Sequence, residues 1–371
     1  MRKTFLVIII VFALLLAGIG VWVFEIYLRP IGPIYIRANG SIDPSTAPIS
    51  TSDKITFKLT GDISNSIVLQ RGNTVLDGDG YTLQGVESGT GISVTSINNV
   101  TIKNTTIIGF GYGIWLGSSN NDTVSRNNII GNAYDGLWLN SSSYEMVSNN
   151  GIFGNSNSTY QGLYPVNNFD GIELDFSSYN TVSANSIAGN YGNSVLLDSD
   201  SSYNTLSGNS ITGNRGEAIF LPDSFHNSIS DNDVIGNSGD GIYIIAGSSY
   251  NAVSGNSVIG NNGIGIYLGL ASYNIVSDND VSENSFGISL GTSSSNTIYH
   301  NDIMNNTYQT AIFYSEPNSW DNGYPSGGNY WGDYFSKYPN ATEIYSSGIW
   351  NTPYAIDNNN TDHYPLMRPW E

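Results

Sequence analysis

The chain has 371 residues, of which 39% are hydrophobic and only 12% charged, and its net charge is −19. That balance excludes nucleic acid and anionic lipid as partners, because neutralising phosphates needs clustered Lys and Arg, and it disfavours polyanionic polysaccharides for the same reason. Cysteine is absent, which removes disulfides and thiolate metal sites.

Residues 1–29 open with FLVIIIVFALLLAGIGVWVF at 5–24, an uncharged apolar run behind Arg2 and Lys3. It is long for a secretory segment and lacks an A-x-A cleavage site, so a retained single-pass membrane anchor is expected, with a cleaved signal peptide as the alternative. The basic flank keeps the N-terminus inside and leaves the rest of the chain on the extracellular face. Residues 30–53, rich in Pro, Ser and Thr, read as a stalk. Asn-x-Ser/Thr sequons from Asn39 to Asn359 would permit glycosylation there.

From 54 to 315 one phrase returns: SSYNTVSANSIAGN at 177–190, SSYNTLSGNSITGN at 201–214 and SSYNAVSGNSVIGN at 248–261. A period of about 23 residues is the mark of a solenoid. Each unit holds two or three short strands with alternating apolar residues, joined by turns of Asn, Gly and Ser, which tolerate positive φ or bond their own backbone. Three Asn columns set the register. The first begins at Asn121 and runs from Asn180 through Asn204 to Asn296, with Glu145 in an equivalent slot; the second passes through Asn185 and Asn209, the third through Asn190 and Asn214. Rungs about 4.8 Å apart would place Asn over Asn, so these amides are expected to bond along the axis.

The GI-x-L and YNxVSxN-x-I-x-GN pattern resembles the right-handed parallel β-helix repeats of the NosD-like proteins, within the pectate-lyase-like superfamily. Residues 66–85, SIVLQRGNTVLDGDGYTLQG, look like that family's first rung, and GGNYWGDY at 327–334 with NTPYAIDNNNTDHYPLMRPW at 351–370 looks like the closing segment of archaeal surface members. The resemblance implies an all-β, right-handed parallel β-helix over residues 54–315. It implies no single activity, because this repeat carries many. It also raises copper maturation, for which the chain offers only His226, His300 and His363 beside Met146, Met304 and Met367, too few soft ligands and too scattered.

Function is expected where the repeat breaks. If the strand Ile points inward, the next residue points out, which gives Trp115, Trp138, Glu173, Leu196, Phe220, Tyr243, Tyr267, Ser289 and Phe313. Such a stripe is either a binding surface for the flat faces of sugars or a face covered by the C-terminal segment or a partner. Acids gather beside it: Asp135, Asp170, Glu217 and Asp240 before the strands, and Glu173, Asp175, Asp198 and Asp200 on or after them. Leu137 and Ile172 are 35 residues apart, so about a dozen residues near 156–167 bulge out, carrying Tyr160, Gln161 and Tyr164 just ahead of Asp170. A hydrolytic pair would be Asp170 and Glu173. A calcium site would use Asp175, Asp198 and Asp200, and no other cofactor is called for. The bland alternative is an acidic, solvated turn.

Residues 316–371 leave the repeat and concentrate aromatics, including Trp320, Trp331, Tyr354 and Trp370. An open solenoid end needs covering, so this segment is expected to be a cap. Three functions follow: an anchored surface β-helix that binds carbohydrate or builds the envelope; a polysaccharide hydrolase; and, least supported, a copper-maturation component. The first is the preferred expectation.

Overall fold

The computed structural model describes residues 32–155, 169–314 and 317–370. Three long parallel sheets run side by side along one axis, one of 13 strands (sheet A), one of 12 (sheet B) and one of 11 (sheet C). A single rung shows the plan: Ile172–Asp175 lies in sheet A, Thr181–Ser183 in sheet B and Ser186–Ala188 in sheet C. Strand Val195–Asp198 then starts the next rung, in register with Ile172–Asp175. The all-β parallel solenoid expected from the repeat is the architecture found.

Sequence alternation explains the core. In three-residue strands such as Thr181–Ser183 only the middle residue is buried, so Val147, Val182, Leu206 and Ile229 form one inward column and Ile152, Ile187 and Ile211 another. Each buried aliphatic side chain is worth about 1.5–3 kcal/mol. Corners form where a residue of positive φ precedes an Asn: Tyr179 at 61°, Ala184 at 54° and Gly189 at 67°. Glycine takes that conformation without strain, which accounts for the recurrent Gly-Asn.

Hydrogen bonds between rungs account for the phrase SSYN. Asn185 receives the backbone N–H of Asn150 on Oδ1 at 3.0 Å and gives its own amide to Asn209 Oδ1 at 3.0 Å and to Val147 O at 3.0 Å. In the first column Asn180 accepts from Glu145 N at 2.8 Å and gives its amide to Ser142 O at 3.1 Å. The leading Ser builds a parallel ladder, with Ser177 N donating to Ser201 Oγ at 3.0 Å. These side chains are buried, and they satisfy corner amides that no sheet reaches.

The first column differs from its expected start by one residue. Asp122, not Asn121, occupies the ladder slot: Val100 N donates to Asp122 Oδ1 at 2.7 Å and Asp122 N to Glu145 Oε2 at 2.6 Å. Asn121 is the exposed positive-φ residue before it. Two stacked acids therefore stand where amides would. Burial, and then the charge of Asp122, pushes Glu145 up to about 8, and burial pushes Asp122 up to about 6. Asp122 Oδ2 and Glu145 Oε1 are buried without a partner, at the place where an Asn would carry its donating N–H₂.

The expected stalk is instead part of the fold. Ile34–Ile36 pairs in parallel with Ile67–Leu69 and antiparallel with Ile42–Asp43, while Ile49–Ser50 pairs with Thr56–Leu59. Ile34, Ile36 and Ile49 are buried; the segment covers strand edges that would otherwise lie open. At the other end Tyr330–Trp331 extends sheet C beside Asp302–Met304. Trp331 stacks on Tyr354 at 4.0 Å and donates to Asp362 Oδ2 at 2.8 Å, which also receives Asn329 N at 2.8 Å. Among the described residues no helix is long and apolar enough to cross a membrane; residues 5–24, the expected anchor, lie outside them.

The ladders can be tested one rung at a time. Asn232→Ala deletes bonds from Asn209 N and Nδ2 and to Leu206 O and Asn256 Oδ1, and it orphans a buried N–H; a loss of about 3 kcal/mol is expected in urea unfolding, and a loss under about 1 kcal/mol would show the ladder dispensable. Glu145 binds its proton more tightly folded than unfolded, so its contribution is whole below about pH 4.5 and is lost as pH rises through about 8. The melting temperature of the protein should fall across that window. Glu145→Gln, which restores the amide donor, should flatten the fall and add about 2–4 °C at pH 8–9; an unchanged slope would refute the assignment.

Candidate functional site

Register on sheet A decides which side chains meet. Leu137 pairs with Ile172, Trp138 with Glu173 and Asn140 with Asp175. Residues 35 apart in sequence are thereby neighbours, and Asp135 and Asp170, each just before its strand, stand over one another. Asp170 N donates to Asp135 Oδ1 at 3.0 Å, and Asp170 Oδ1 accepts from Asn193 N at 2.5 Å. Glu173 completes the group: one carboxylate oxygen from each of Asp135, Asp170 and Glu173 lies within 4.8 Å of the others. All three are buried, at 0%, 2% and 5% exposure.

Three carboxylates in one buried site cannot all be ionised and uncompensated. Burial, and next the charge of Glu173, pushes Asp170 up to about 8. The same causes in the same order, with Asp170 added, hold Asp135 well above the ordinary carboxylate range. Asp135 bonds to the Glu173 side chain, and its buried Oδ2 receives no other donor. Gly192 is required beside the group, because a Cβ there would sit 2.3 Å from Asp170 Oδ1. The expected pair Asp170 and Glu173 is therefore brought together, but as two members of a buried triad rather than as acids flanking an open groove. Asp135 is visible in sequence as one of four acids before strands; only its register singles it out.

An aromatic wall adjoins the acids. Trp138 stacks on Trp115 at 5.5 Å and on Tyr112 at 5.2 Å; Tyr112 meets Tyr134 at 5.2 Å, and Tyr134 meets Phe169 at 6.5 Å. Burial, followed by the charges of Asp135 and Glu173, pushes the Tyr112 hydroxyl up. The indole N–H groups of Trp115 and Trp138 are buried without partners. Further along the same face Phe220, Tyr243 and Tyr267 run at spacings of 5.4 and 5.0 Å.

The outward stripe departs from expectation in three ways. Glu173, Leu196 and Ser289 are buried and break it. Its last position is Ala311, in register with Ser289, whereas Phe313 sits beside Gly291. Trp115, Trp138, Phe220, Tyr243 and Tyr267 are half-buried, and stacked neighbours such as Tyr243 and Tyr267, 16° from parallel, turn ring faces toward each other. The rings lie along the sheet: a Cβ on Gly291 would sit 2.2 Å from the Tyr267 hydroxyl, and one on Gly117 3.1 Å from the Trp115 indole nitrogen. Tyr160 and Tyr164, the other expected ligand-binding residues, lie outside the described residues.

The expected calcium ligands do not converge with the triad. Asp175 and Asp198 are paired in register, and Asp175 Oδ2 is held by Asn140 Nδ2 at 2.8 Å. Asp200 is an exposed corner residue with φ of 61°. Among the described residues the acids that gather tightly are Asp135, Asp170 and Glu173.

A second aromatic row lies outside the expected stripe. The Tyr of SSYN, a scaffold position by its repetition, projects from the corner between sheets A and B, with His226 in the same slot on one rung: Tyr144, Tyr179, Tyr203, His226, Tyr250 and Tyr273 stack at 4.8–5.2 Å, all within 11° of parallel. The tyrosines are 48–58% exposed. Positive φ at a bulky residue costs roughly 1–2 kcal/mol, and ring stacking recovers about 0.5–1.5 kcal/mol per pair. The sequence carries the signal as a column of aromatics one residue before the ladder Asn.

Residues 54–164 and 90–258 match the family described as right handed beta helix region, and residues 199–336 match the family described as periplasmic copper-binding protein (NosD). Among curated proteins none matches the sequence. Among solved structures, the periplasmic alginate epimerase AlgG aligns at 14% identity with a TM-score of 0.50, over 71% of this chain and 80% of that one. A variant of the same epimerase aligns at 17% and 0.50, over 71% of this chain and 63% of that one. The surface adhesin PfbA of Streptococcus pneumoniae aligns at 15% and 0.46, over 72% of each chain. These likenesses concern the fold. The copper of the NosD description finds no donor set among the described residues: His226 is a rung of the tyrosine row, His300 is stacked on Trp370 at 3.4 Å and bonded to Ser326 O, and His363 is bonded to Asp321.

Tyr203→Ala, in the middle of the row, should cost about 1 kcal/mol in chemical unfolding and weaken the near-UV circular dichroism of coupled rings. An unaltered near-UV spectrum would show that the rings do not stack in solution.

Proposed function

The chain belongs to the right-handed β-helix family, and on that scaffold we propose that it is a cell-surface protein that binds a polysaccharide along sheet A without cleaving it. The observation that carries this reading is the half-exposed aromatics in register on a rigid parallel sheet, Trp115 and Trp138 on one side of the buried Glu173 and Leu196 and Phe220, Tyr243 and Tyr267 on the other. Aromatic surface repeated at the rung spacing, with phenol groups at Tyr243 and Tyr267, suits an extended polymer lying along the axis. The net charge of −19 favours a neutral glycan over an acidic one. The likeness to an alginate epimerase supports a polysaccharide by fold analogy alone. Export is supported by the apolar run at 5–24 behind Arg2 and Lys3, which would anchor the chain with the β-helix outside.

A second reading, glycoside hydrolysis, rests on Asp170, whose proton persists near neutral pH as a general acid requires, with Glu173 beside it. Its burial at 2% is what sets it behind the first. The full chain, purified in detergent, should be retarded in affinity electrophoresis by one of a panel of neutral and acidic polysaccharides, with no new reducing ends. Trp138→Ala should weaken retention about tenfold. Reducing ends that vanish in Asp170→Asn or Glu173→Gln would establish hydrolysis instead. Neither retention nor cleavage would leave an envelope-building role.

A further inference from the structure

The Lys and Arg ion pairs among the described residues are Arg37–Asp43, Lys103–Asp77 and Lys337–Asp333, all away from Asp135 and Asp170. The stretch 156–168, which leads into Asp170, contains no Lys, Arg or His. Asp135 is wholly buried; its side chain bonds to that of Glu173, and its Oδ2 receives no other donor. A native fold leaves few such atoms unsatisfied, and each one asks for a group to meet it.

We propose that Asp135, Asp170 and Glu173 form a binding site for a hard divalent cation of the Ca²⁺ kind, held on sheet A beside Trp138 and Tyr112. Carboxylate oxygens are the donors such a cation takes. Mg²⁺ gives up its waters reluctantly and is seldom held by protein carboxylates alone, whereas Ca²⁺ takes several of them. The three oxygens lie within 4.8 Å of one another, close enough for one such ion to reach them all. The two charges of the cation meet the mutual repulsion of the acids, and Asp135 Oδ2 gains a partner. Asn193 N already holds Asp170 at Oδ1, so that carboxylate is oriented in advance. Solvent oxygens complete a shell of six to eight.

The site is distinct from the Asp175, Asp198 and Asp200 set expected from sequence, and it is independent of any glycan. The test uses the full chain stripped with EDTA, with Tb³⁺ and CaCl₂ as probes. Tb³⁺ should bind one per chain, with emission excited through the neighbouring tryptophans, and Ca²⁺ should displace it at concentrations at least tenfold below those needed of Mg²⁺. CaCl₂ should also raise the melting temperature. Asp135→Asn and, separately, Glu173→Gln should abolish both responses; Asp198→Asn should keep both. If Asp135→Asn does not fold, as judged by circular dichroism, Glu173→Gln carries the comparison. Absence of saturable Tb³⁺ emission in the wild type, its persistence in a folded triad variant, or its loss in Asp198→Asn would overturn the proposal.

Discussion

One interaction recurs at nearly every corner of this molecule: a backbone N–H donates along the axis to the Asn side chain of the next rung, as Asn185 N does to Asn209 Oδ1 at 3.0 Å. The three sheets satisfy the backbone of the strands, but a corner has no sheet partner. Without the Asn oxygen each corner would bury an unpaired amide at a cost of about 1–3 kcal/mol. With it, the chain can turn sharply after only three residues of strand, and the rung closes. The flanking positive-φ residue and the inward aliphatic column are consequences of that closure.

Closure in fixed register has a second effect, since whatever occupies one column is stacked on itself. For Ile, Val and Leu that builds a continuous core, and for Tyr144 through Tyr273 it builds a ladder of parallel rings. For acids it is costly. Asp122 over Glu145, and Asp135 over Asp170 with Glu173 alongside, are places where like charges are forced together inside the protein, and each must be answered by a proton or a cation. The two cases differ in surroundings. Asp122 and Glu145 sit inside the Asn column, where a proton supplies the missing amide donor. The triad lies at the start of two central strands of sheet A against an aromatic wall, where the chain breaks its period.

The site therefore combines a rigid, repeating face with one irregular, charged spot. Trp115, Trp138 and Tyr112 form the wall on one side of the acids, and Phe220, Tyr243 and Tyr267 continue the face beyond the buried Glu173 and Leu196. A polymer lying along the axis would meet the wall and the row at the rung spacing of the sheet, and the triad would fix the local geometry of the strand between them.

Much of this is legible in the amino-acid sequence. The repeat, the Asn columns, the inward aliphatics and the acidic, cysteine-free composition all depend on local pattern: alternation along a strand and a corner residue of defined conformation, both of which are written in adjacent residues. Where local pattern is ambiguous by one position the sequence misleads, as at Asn121, because Asn-Asp offers two polar residues and only the corner geometry chooses Asp122. The reading of 30–53 as a stalk fails for a related reason: Ile34, Ile36 and Ile49 bury themselves against rungs that composition cannot locate. The meeting of Asp135 with Asp170 and Glu173 across 35 residues, the burial that raises their proton affinity, and the turning of ring faces toward one another are decided by tertiary structure alone. Each depends on which atoms lie above and below in neighbouring rungs, and that distance is set by hydrogen-bond register through space, not by separation along the chain.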